Sequence, residues 1–392
     1  MTTKNNIPAG YKDSAVGIIP QKWEVKRLGA CFSIGHGRDY KHLSNGDIPV
    51  YGSGGIICYV GSFLHDGETV CIGRKGTINK PFYYNGQIWT VDTLFYTHSF
   101  QSVQPRYVGY LFDSIDWMRY NEATGVPSLT AKTISNIKKA VPPMEEQRKI
   151  AEILGVWDEA IEKQSRLIEK LELRKRALMQ RLLTGRTRLP DFTTPWQKVK
   201  LGEICKRVTR RNEENNQNVM TISAQKGFVS QTDFFNKSVA SSTLDNYYLV
   251  LKDEFCYNKS YSNGYPMGAI KRLKEADKAV VTTLYICFSI TDKQKLSIDF
   301  FEQYCENGEF NQGLMKIANE GGRAHGLLNV TPTDFFSLVM LLPTLPEQKA
   351  IAEVLTAADN EITTHRKKLY ALRLQKRGLM QQLLTGKTRV KI

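Results

Sequence analysis

Two stretches near the start of this 392-residue sequence combine basic side chains with glycine and small hydroxyls. "YGSGG" at 51–55 and "GRKGT" at 73–77 place Ser53, Arg74, Lys75 and Thr77 on flexible loops, with Lys80 just beyond. Such residues reach phosphates or base edges: an arginine fork bridges guanine bidentately, and a lysine attracts phosphate as a point charge. Further along, the mixture returns with Arg207, Arg210 and Arg211. It appears again in "YNKSYSNGY" at 257–265, which holds Lys259 and Tyr261, and in "GGRAHG" at 321–326, which holds Arg323 and His325. Any one such loop also reads as a solvated hairpin. Two sets of them, in a chain with 54 Lys and Arg against 39 Asp and Glu and a net charge of +15, point to nucleic acid.

The search for a catalytic centre is mostly negative. "TGKT" at 385–388 suggests a phosphate loop, but Gln381 stands where the first glycine is required and no strand precedes it, so it reads as a helix cap. "VPPM" at 141–144 lacks the Asn or Asp with which amino-methyltransferases hold a target amine. No GxGxxG, GxSxG or HExxH pattern occurs, and His36, His42, His65, His98, His325 and His365 include no pair spaced as metal ligands. The seven cysteines form an odd set without a CxxC pair and read as reduced thiols. The expectation is a chain that is no enzyme by itself and binds no cofactor or metal. An autonomous nuclease built from Asp, Glu and Lys would instead show metal-dependent cutting by the isolated chain.

The composition, 41% hydrophobic and 24% charged, is that of a globular protein with two to four domains. Met1 to Gln21 contains no apolar signal segment, and the longest apolar run, Phe335 to Leu342, is interrupted by Ser337 and is strand-sized. Neither secretion nor membrane insertion is predicted, and a cytoplasmic location is expected.

The elements that must position the loops come from an internal repeat. "EEQRKIAEILGVWDEAIE" at 145–162 returns as "PEQKAIAEVLTAADNEIT" at 346–363, and "LMQRLLTGRTRL" at 178–189 as "LMQQLLTGKTRV" at 379–390, both at an offset of 201. The register extends backward through Gly125 and Gly326, Thr130 and Thr331, and Val141 and Leu342. A second pair, "WEVKRLG" at 23–29 and "WQKVKLG" at 196–202, repeats at an offset of 173, so the segment between is 28 residues longer in the second half. Repeated frames surround unlike inserts. Within these, "ETVCIGRKG", "IWTVDTLFY", "KAVVTTLYICFSI" and "FSLVMLLP" have the β-branched and aromatic content of strands.

Each repeat contains a long helix with a heptad seam. Alternating steps of four and three visit Ile150, Leu154, Trp157, Ile161, Gln164, Ile168, Leu171, Lys175, Leu178 and Leu182 in the first. In the second they visit Ile351, Leu355, Ala358, Ile362, His365, Leu369, Leu372, Lys376, Leu379 and Leu383. Eight of ten are apolar in each, the pattern of a coiled coil. The polar exceptions share slots, Gln164 with His365 and Lys175 with Lys376. In an antiparallel, unstaggered pairing Gln164 and His365 would occupy neighbouring layers and could fix register by a hydrogen bond; snorkelling at half-exposed positions is the plainer alternative. Pro142, Pro143 and Pro346 punctuate the helix starts, and Gly185 and Gly386 their ends. From Arg174 to Arg188 there are six cations and no acid, and from Arg366 to Lys391 nine and none. This partly complements the helix dipoles and leaves charge for phosphates or a partner.

With these motifs in view, the sequence resembles the specificity subunits of Type I restriction-modification systems. The resemblance rests on "YKDSAVGIIPQKWEVKRLG" (11–29), the helix starts "PPMEEQRKIAEIL" (142–154) and "LPEQKAIAEVL" (345–355), and both "LLTG" endings, and it covers the whole chain. It implies an α+β fold of two similar mixed α/β target recognition domains, separated by two long helices packed as an antiparallel coiled coil, with pseudo-twofold internal symmetry. The expected boundaries are 1–143, 144–188, 189–345 and 346–392 for first recognition domain, first helix, second recognition domain and second helix. The resemblance further implies double-stranded DNA as ligand, each domain reading half of a bipartite target. Its implied partners are two modification subunits that use S-adenosylmethionine, and restriction subunits that use ATP and Mg.

A helix over residues 147–183 would span about 55 Å at roughly 1.5 Å per residue, the length of about 16 base pairs at roughly 3.4 Å each. Helix length would thus set the gap between half-sites. Because the inserts are unlike, the target is expected to be asymmetric. The alternative is a stand-alone DNA-binding or scaffold protein without enzymatic partners, which neighbouring methyltransferase and translocase genes would argue against.

Overall fold

The structure, a computed structural model, describes residues 7–231, 244–318 and 328–392. It forms two compact units, residues 1–165 with 367–392, and residues 166–366. Each unit holds one mixed α/β body and a portion of both long helices, so neither helix stands as a separate domain.

The body of the N-terminal unit is built on a four-stranded antiparallel sheet in the order Ser33–His36, Leu94–His98, Glu68–Gly73, Phe82–Asn85. The strand Glu68–Gly73 is buried from Thr69 to Gly73, and alternate residues serve two cores. Val70 and Ile72 pack with Tyr107, Val108 and Leu111 of the helix Pro105–Asp113, whereas Cys71 packs with Ile88 and Leu94. Burial on both faces explains the unbroken apolar run. A three-stranded sheet lies beside it in the order Gly55–Val60, Asn45–Gly52, Trp89–Thr90. The run "IWTVDTLFY" is therefore two strands in two sheets, turning where the Leu94 amide donates to the Val91 carbonyl at 2.9 Å.

In the C-terminal unit the core sheet has the same arrangement: Cys205–Arg207, Ile286–Ile290, Phe255–Asn258, Ala269–Arg272. The helix Ile298–Glu306 covers it, with Phe301 edge-on to Phe255 at 5.0 Å. "KAVVTTLYICFSI" again divides into two strands, Lys278–Val281 and Ile286–Ile290. Beside this sheet lie two antiparallel pairs, Met220–Ser223 with Gly227–Ser230 and Tyr248–Leu251 with Lys278–Val281, joined by a parallel bridge between Val219 and Val280 where the Val280 amide donates to the Asn218 carbonyl at 2.9 Å. All seven cysteines are free, and the buried Cys256 donates its S–H to Cys287 across the sheet at 3.2 Å.

Both inserts are closed by one device. Glu24–Arg27 pairs antiparallel with Lys138–Val141, and Gln197–Lys200 with Val339–Leu342. The two sequence offsets reflect this: the opening strand and the closing strand are repeated, and the insert between them absorbs the length difference. Next to each closing strand lies a short helix capped by threonine, Thr130 accepting from the Thr133 amide and Thr331 from the Asp334 amide, both at 3.1 Å.

The long helices are Met144–Leu182 and Leu345–Leu383, 39 residues each. Pro346 sits inside the first turn of the second, where no amide hydrogen is needed. Both helices end as read from the sequence, at Gly185 (φ +69°) and Gly386 (φ +72°). Among the seam positions none is exposed: Ile150, Leu154, Gln164, Ile168, Leu171, Leu182, Ile351, Leu355, Ala358, Ile362 and Leu383 are buried, and the others, His365 included, partly so. Within each unit the two helix segments run antiparallel. Asp158 meets Lys376 and Glu146 meets Arg389 in one; Glu172 meets Arg366 and Lys175 meets Asp359 in the other. No helix among the described residues is long and apolar enough to cross a membrane.

Candidate nucleic-acid interface

The "GRKGT" loop follows the central strand Glu68–Gly73, and its backbone is pinned on both sides. The Arg74 and Lys75 amides donate to the Thr93 carbonyl at 2.8 and 3.2 Å, the Gly76 amide to Pro127 at 2.8 Å, and the Leu129 amide to Arg74 at 2.8 Å. The glycines are required here, since a Cβ on Gly73 would stand 2.2 Å from the Thr77 carbonyl oxygen and Gly76 has φ +94°. Tight backbone with exposed Arg74 and Lys75 side chains is what a reading loop needs. Ser53 joins this loop, because a Cβ on Gly76 would lie 2.9 Å from the Ser53 Oγ. Thus Ser53, from an earlier turn of the sequence, joins Arg74, Lys75 and Thr77 of the loop in one apex; Lys80 lies exposed three residues beyond Thr77.

A third loop completes that apex and was missed by the sequence reading. Asn121 shapes it, its Nδ2 donating to Ala123 at 2.8 Å while its Oδ1 accepts from Ala123 and Ser128 at 3.1 and 2.9 Å. Thr124, Gly125 and Val126 are left exposed. The available signal was the match of Gly125 with Gly326 inside the repeat.

The loop after Phe255–Asn258 in the C-terminal unit occupies the same place in the sheet order as "GRKGT". It too is held from the segment before the threonine cap, the Leu328 amide donating to Lys259 at 3.0 Å. Tyr261 is 66% exposed. At the loop base Lys271 donates to Glu306 at 2.5 Å and lies 4.6 Å over the Tyr265 ring, whose hydroxyl also binds Glu306. Burial, then the Glu306 carboxylate, push the Tyr265 phenol above its ordinary value, so it stays a donor.

The arginines of this unit divide. Arg207 is exposed at a strand end, and Arg211 is exposed while stacking 5.2 Å over Tyr248 and donating to the Asn246 carbonyl. Arg210 is committed internally, at 3.1 and 3.2 Å to Glu254 and 3.0 Å to the Leu249 carbonyl, and so acts as a brace. Arg323 and His325 lie outside the described residues.

The repeated Glu-Gln pair at each helix start has a role that motif reading did not assign. Buried Gln147 accepts from the Gln104 amide at 2.9 Å and donates to Ser102 and Pro142 at 3.1 and 2.8 Å. Buried Gln348 accepts from Ser297 and donates to Lys295 and Pro343, each at 2.8 Å. Each glutamine thereby ties the long helix to the start of the helix covering the core sheet. Beside it, Glu146 receives the Trp23 indole at 2.9 Å and Arg389 at 2.6 and 2.9 Å. Glu347 receives Trp196 at 3.2 Å and Arg188 at 2.5 and 2.7 Å. The repeated "WEVKRLG"/"WQKVKLG", Glu-Gln and "LLTG" motifs converge on these two carboxylates.

A pattern described as the Type I restriction modification DNA specificity domain matches residues 20–173 and 193–372. The chain belongs to that family. As a specificity subunit it is a DNA-recognition component of a restriction system and not an enzyme. It is 25% identical over 303 residues to the Type I restriction enzyme MjaVIII specificity subunit of Methanocaldococcus jannaschii, covering 69% of this chain and 66% of that relative. It is 24% identical to the putative type I restriction enzyme MjaX specificity subunit of the same organism, over 97% of each. Its fold resembles the crystal structure of the Type-I restriction-modification system S subunit from M. genitalium, with a TM-score of 0.60, 14% identity and 98% of each chain covered. In the specificity subunit, then, the repeated residues build the frame, and the unlike loops crown the two core sheets.

Proposed function

We propose that each unit of this specificity subunit reads one half of a bipartite, asymmetric duplex target, and that the two 39-residue helices set the unread spacer between the halves. One observation carries the reading: basic loops picked out from sequence alone follow the same strand of the same four-stranded order in both units. Arg74, Lys75 and Lys80 in one unit, and Arg207, Arg211, Lys259 and Tyr261 in the other, would supply phosphate and base contacts. Two modification subunits using S-adenosylmethionine, and restriction subunits using ATP and Mg, would supply the chemistry in the cytoplasm.

Each helix extends about 58 Å at roughly 1.5 Å per residue. Inserting about four residues near the C-terminal end of one helix should lengthen the spacer by one or two base pairs, at roughly 3.4 Å each, and leave both half-sites unchanged. Methylome sequencing of cells carrying the insertion reads this directly, and an unchanged spacer would sink the ruler.

A further inference from the structure

The N-terminal unit carries an apolar hairpin that its core does not explain. Strands Asn45–Gly52 and Gly55–Val60 are anchored at their base by a small core of Val50, Val60, Trp89 and Val91. The third strand pairs with Val50 and Tyr51 on one side of Asn45–Gly52, so Gly55–Val60 is the edge strand on the other side, and only the turn from Gly52 to Gly55 projects past the three-stranded part. Opposite Val50 and Tyr51 the register of this edge strand shifts, Val50 facing Cys58 and Tyr51 facing Ile56, which makes Ile57 the extra residue of a β-bulge. Ile56 and Ile57 are 49% and 50% exposed at this tip.

The tip adjoins the apex of the basic loops, through Ser53 against Gly76, next to exposed Arg74 and Lys75. Apolar side chains flanked by cations call for an occupant that is anionic and also offers apolar groups. Duplex DNA does both: the phosphates meet the lysine and arginine, and the major groove, about 12 Å wide, is open to the bulged edge strand beside its turn and displays the thymine 5-methyl.

We propose that Ile56 and Ile57 read thymine methyl groups in the half-site assigned to the N-terminal unit. This rests on that unit being a DNA reader and goes further by naming the hairpin and the base. The test uses the complex with its modification subunits and duplexes bearing the mapped target, each thymine of the half-site replaced in turn by deoxyuridine, which lacks only the methyl. At one or two positions the replacement should weaken binding about fourfold, the worth of one buried methyl. Ile56→Ala with Ile57→Ala should bind the thymine duplex more weakly and no longer distinguish the two bases. Ile56→Val with Ile57→Val should retain the distinction.

Equal binding of thymine and deoxyuridine at every position by a complex that is still sequence-specific would overturn the inference alone. So would a half-site without A·T pairs, a difference that persists in the double alanine variant, or a variant that keeps its DNA affinity but no longer takes up modification subunits. Absence of any sequence preference in the unaltered complex would overturn the DNA-reading assignment and the inference with it.

Discussion

The two units share a frame and differ in what it holds. Both have the same four-stranded order, the same two-stranded closure, a buried glutamine clamp and a carboxylate gathering an indole and an arginine. The extras differ: a three-stranded sheet with a bulged, apolar hairpin in one, and in the other a hairpin of Met220–Ser223 and Gly227–Ser230 joined by the parallel Val219–Val280 bridge to a further pair, Lys278–Val281 with Tyr248–Leu251. The lesson is that stability and specificity are divided along the chain. Buried polar ties tolerate few alternatives, because each donor must meet its acceptor, whereas loops on a finished sheet can change without cost to the frame.

The largest expected effect follows from that division. Exchanging residues 30–124 for those of another specificity subunit should recode one half-site completely and leave the other untouched. Methylome sequencing showing both altered would break the comparison.

Next in size are the carboxylates. Glu146→Ala strands the buried Trp23 indole N–H and Glu347→Ala the half-buried Trp196 indole N–H, each together with an arginine, and each should cost roughly 3 kcal/mol in urea unfolding of the full chain. A difference of more than about 1 kcal/mol between the two would show that the frames are not energetically equivalent.

Gln147→Ala and Gln348→Ala remove three hydrogen bonds apiece and leave backbone groups unpaired, for roughly 2 kcal/mol each. Equal losses would sharpen the comparison.

The smallest effect separates the loops. Gly76→Ala meets both a φ of +94° and the Ser53 Oγ, whereas Gly264→Ala, at φ +82°, meets nothing within 4 Å. The first should weaken binding to duplexes altered only outside its half-site by up to about tenfold, the equivalent of roughly 1–2 kcal/mol of strain, and the second by less. Equal losses in DNA binding would indicate that the Ser53 contact is unimportant.

Much of this was legible in the primary structure. The heptad positions predicted from Ile150 to Leu182 and from Ile351 to Leu383 are all buried or partly buried, because a 3.5-residue period leaves one stripe that must face a partner. The proline and glycine punctuation placed both helix ends. Lys175 and Lys376, read as seam exceptions with snorkelling as one reading, are instead paired with Asp359 and Asp158 at 2.7 and 2.5 Å. Those acids lie more than 180 residues away in sequence, so no local pattern could announce them. Separations of 123 and 243 residues likewise hid the ties of Glu146 to Trp23 and Arg389. Arg210 looked like Arg211 in sequence, and only Glu254, folded against it, makes it a brace.

What the sequence determined by itself was periodicity and repetition: two helices, two frames, two unlike inserts and the basic loops within them. These are properties of neighbours along the chain, where backbone geometry alone ties spacing to face. The tertiary structure decided which loops meet in one apex, which arginine is held by a carboxylate, and that the Glu-Gln pair is a clasp. Those depend on groups brought together by packing, and a hydrogen bond or ion pair exists only when both partners arrive.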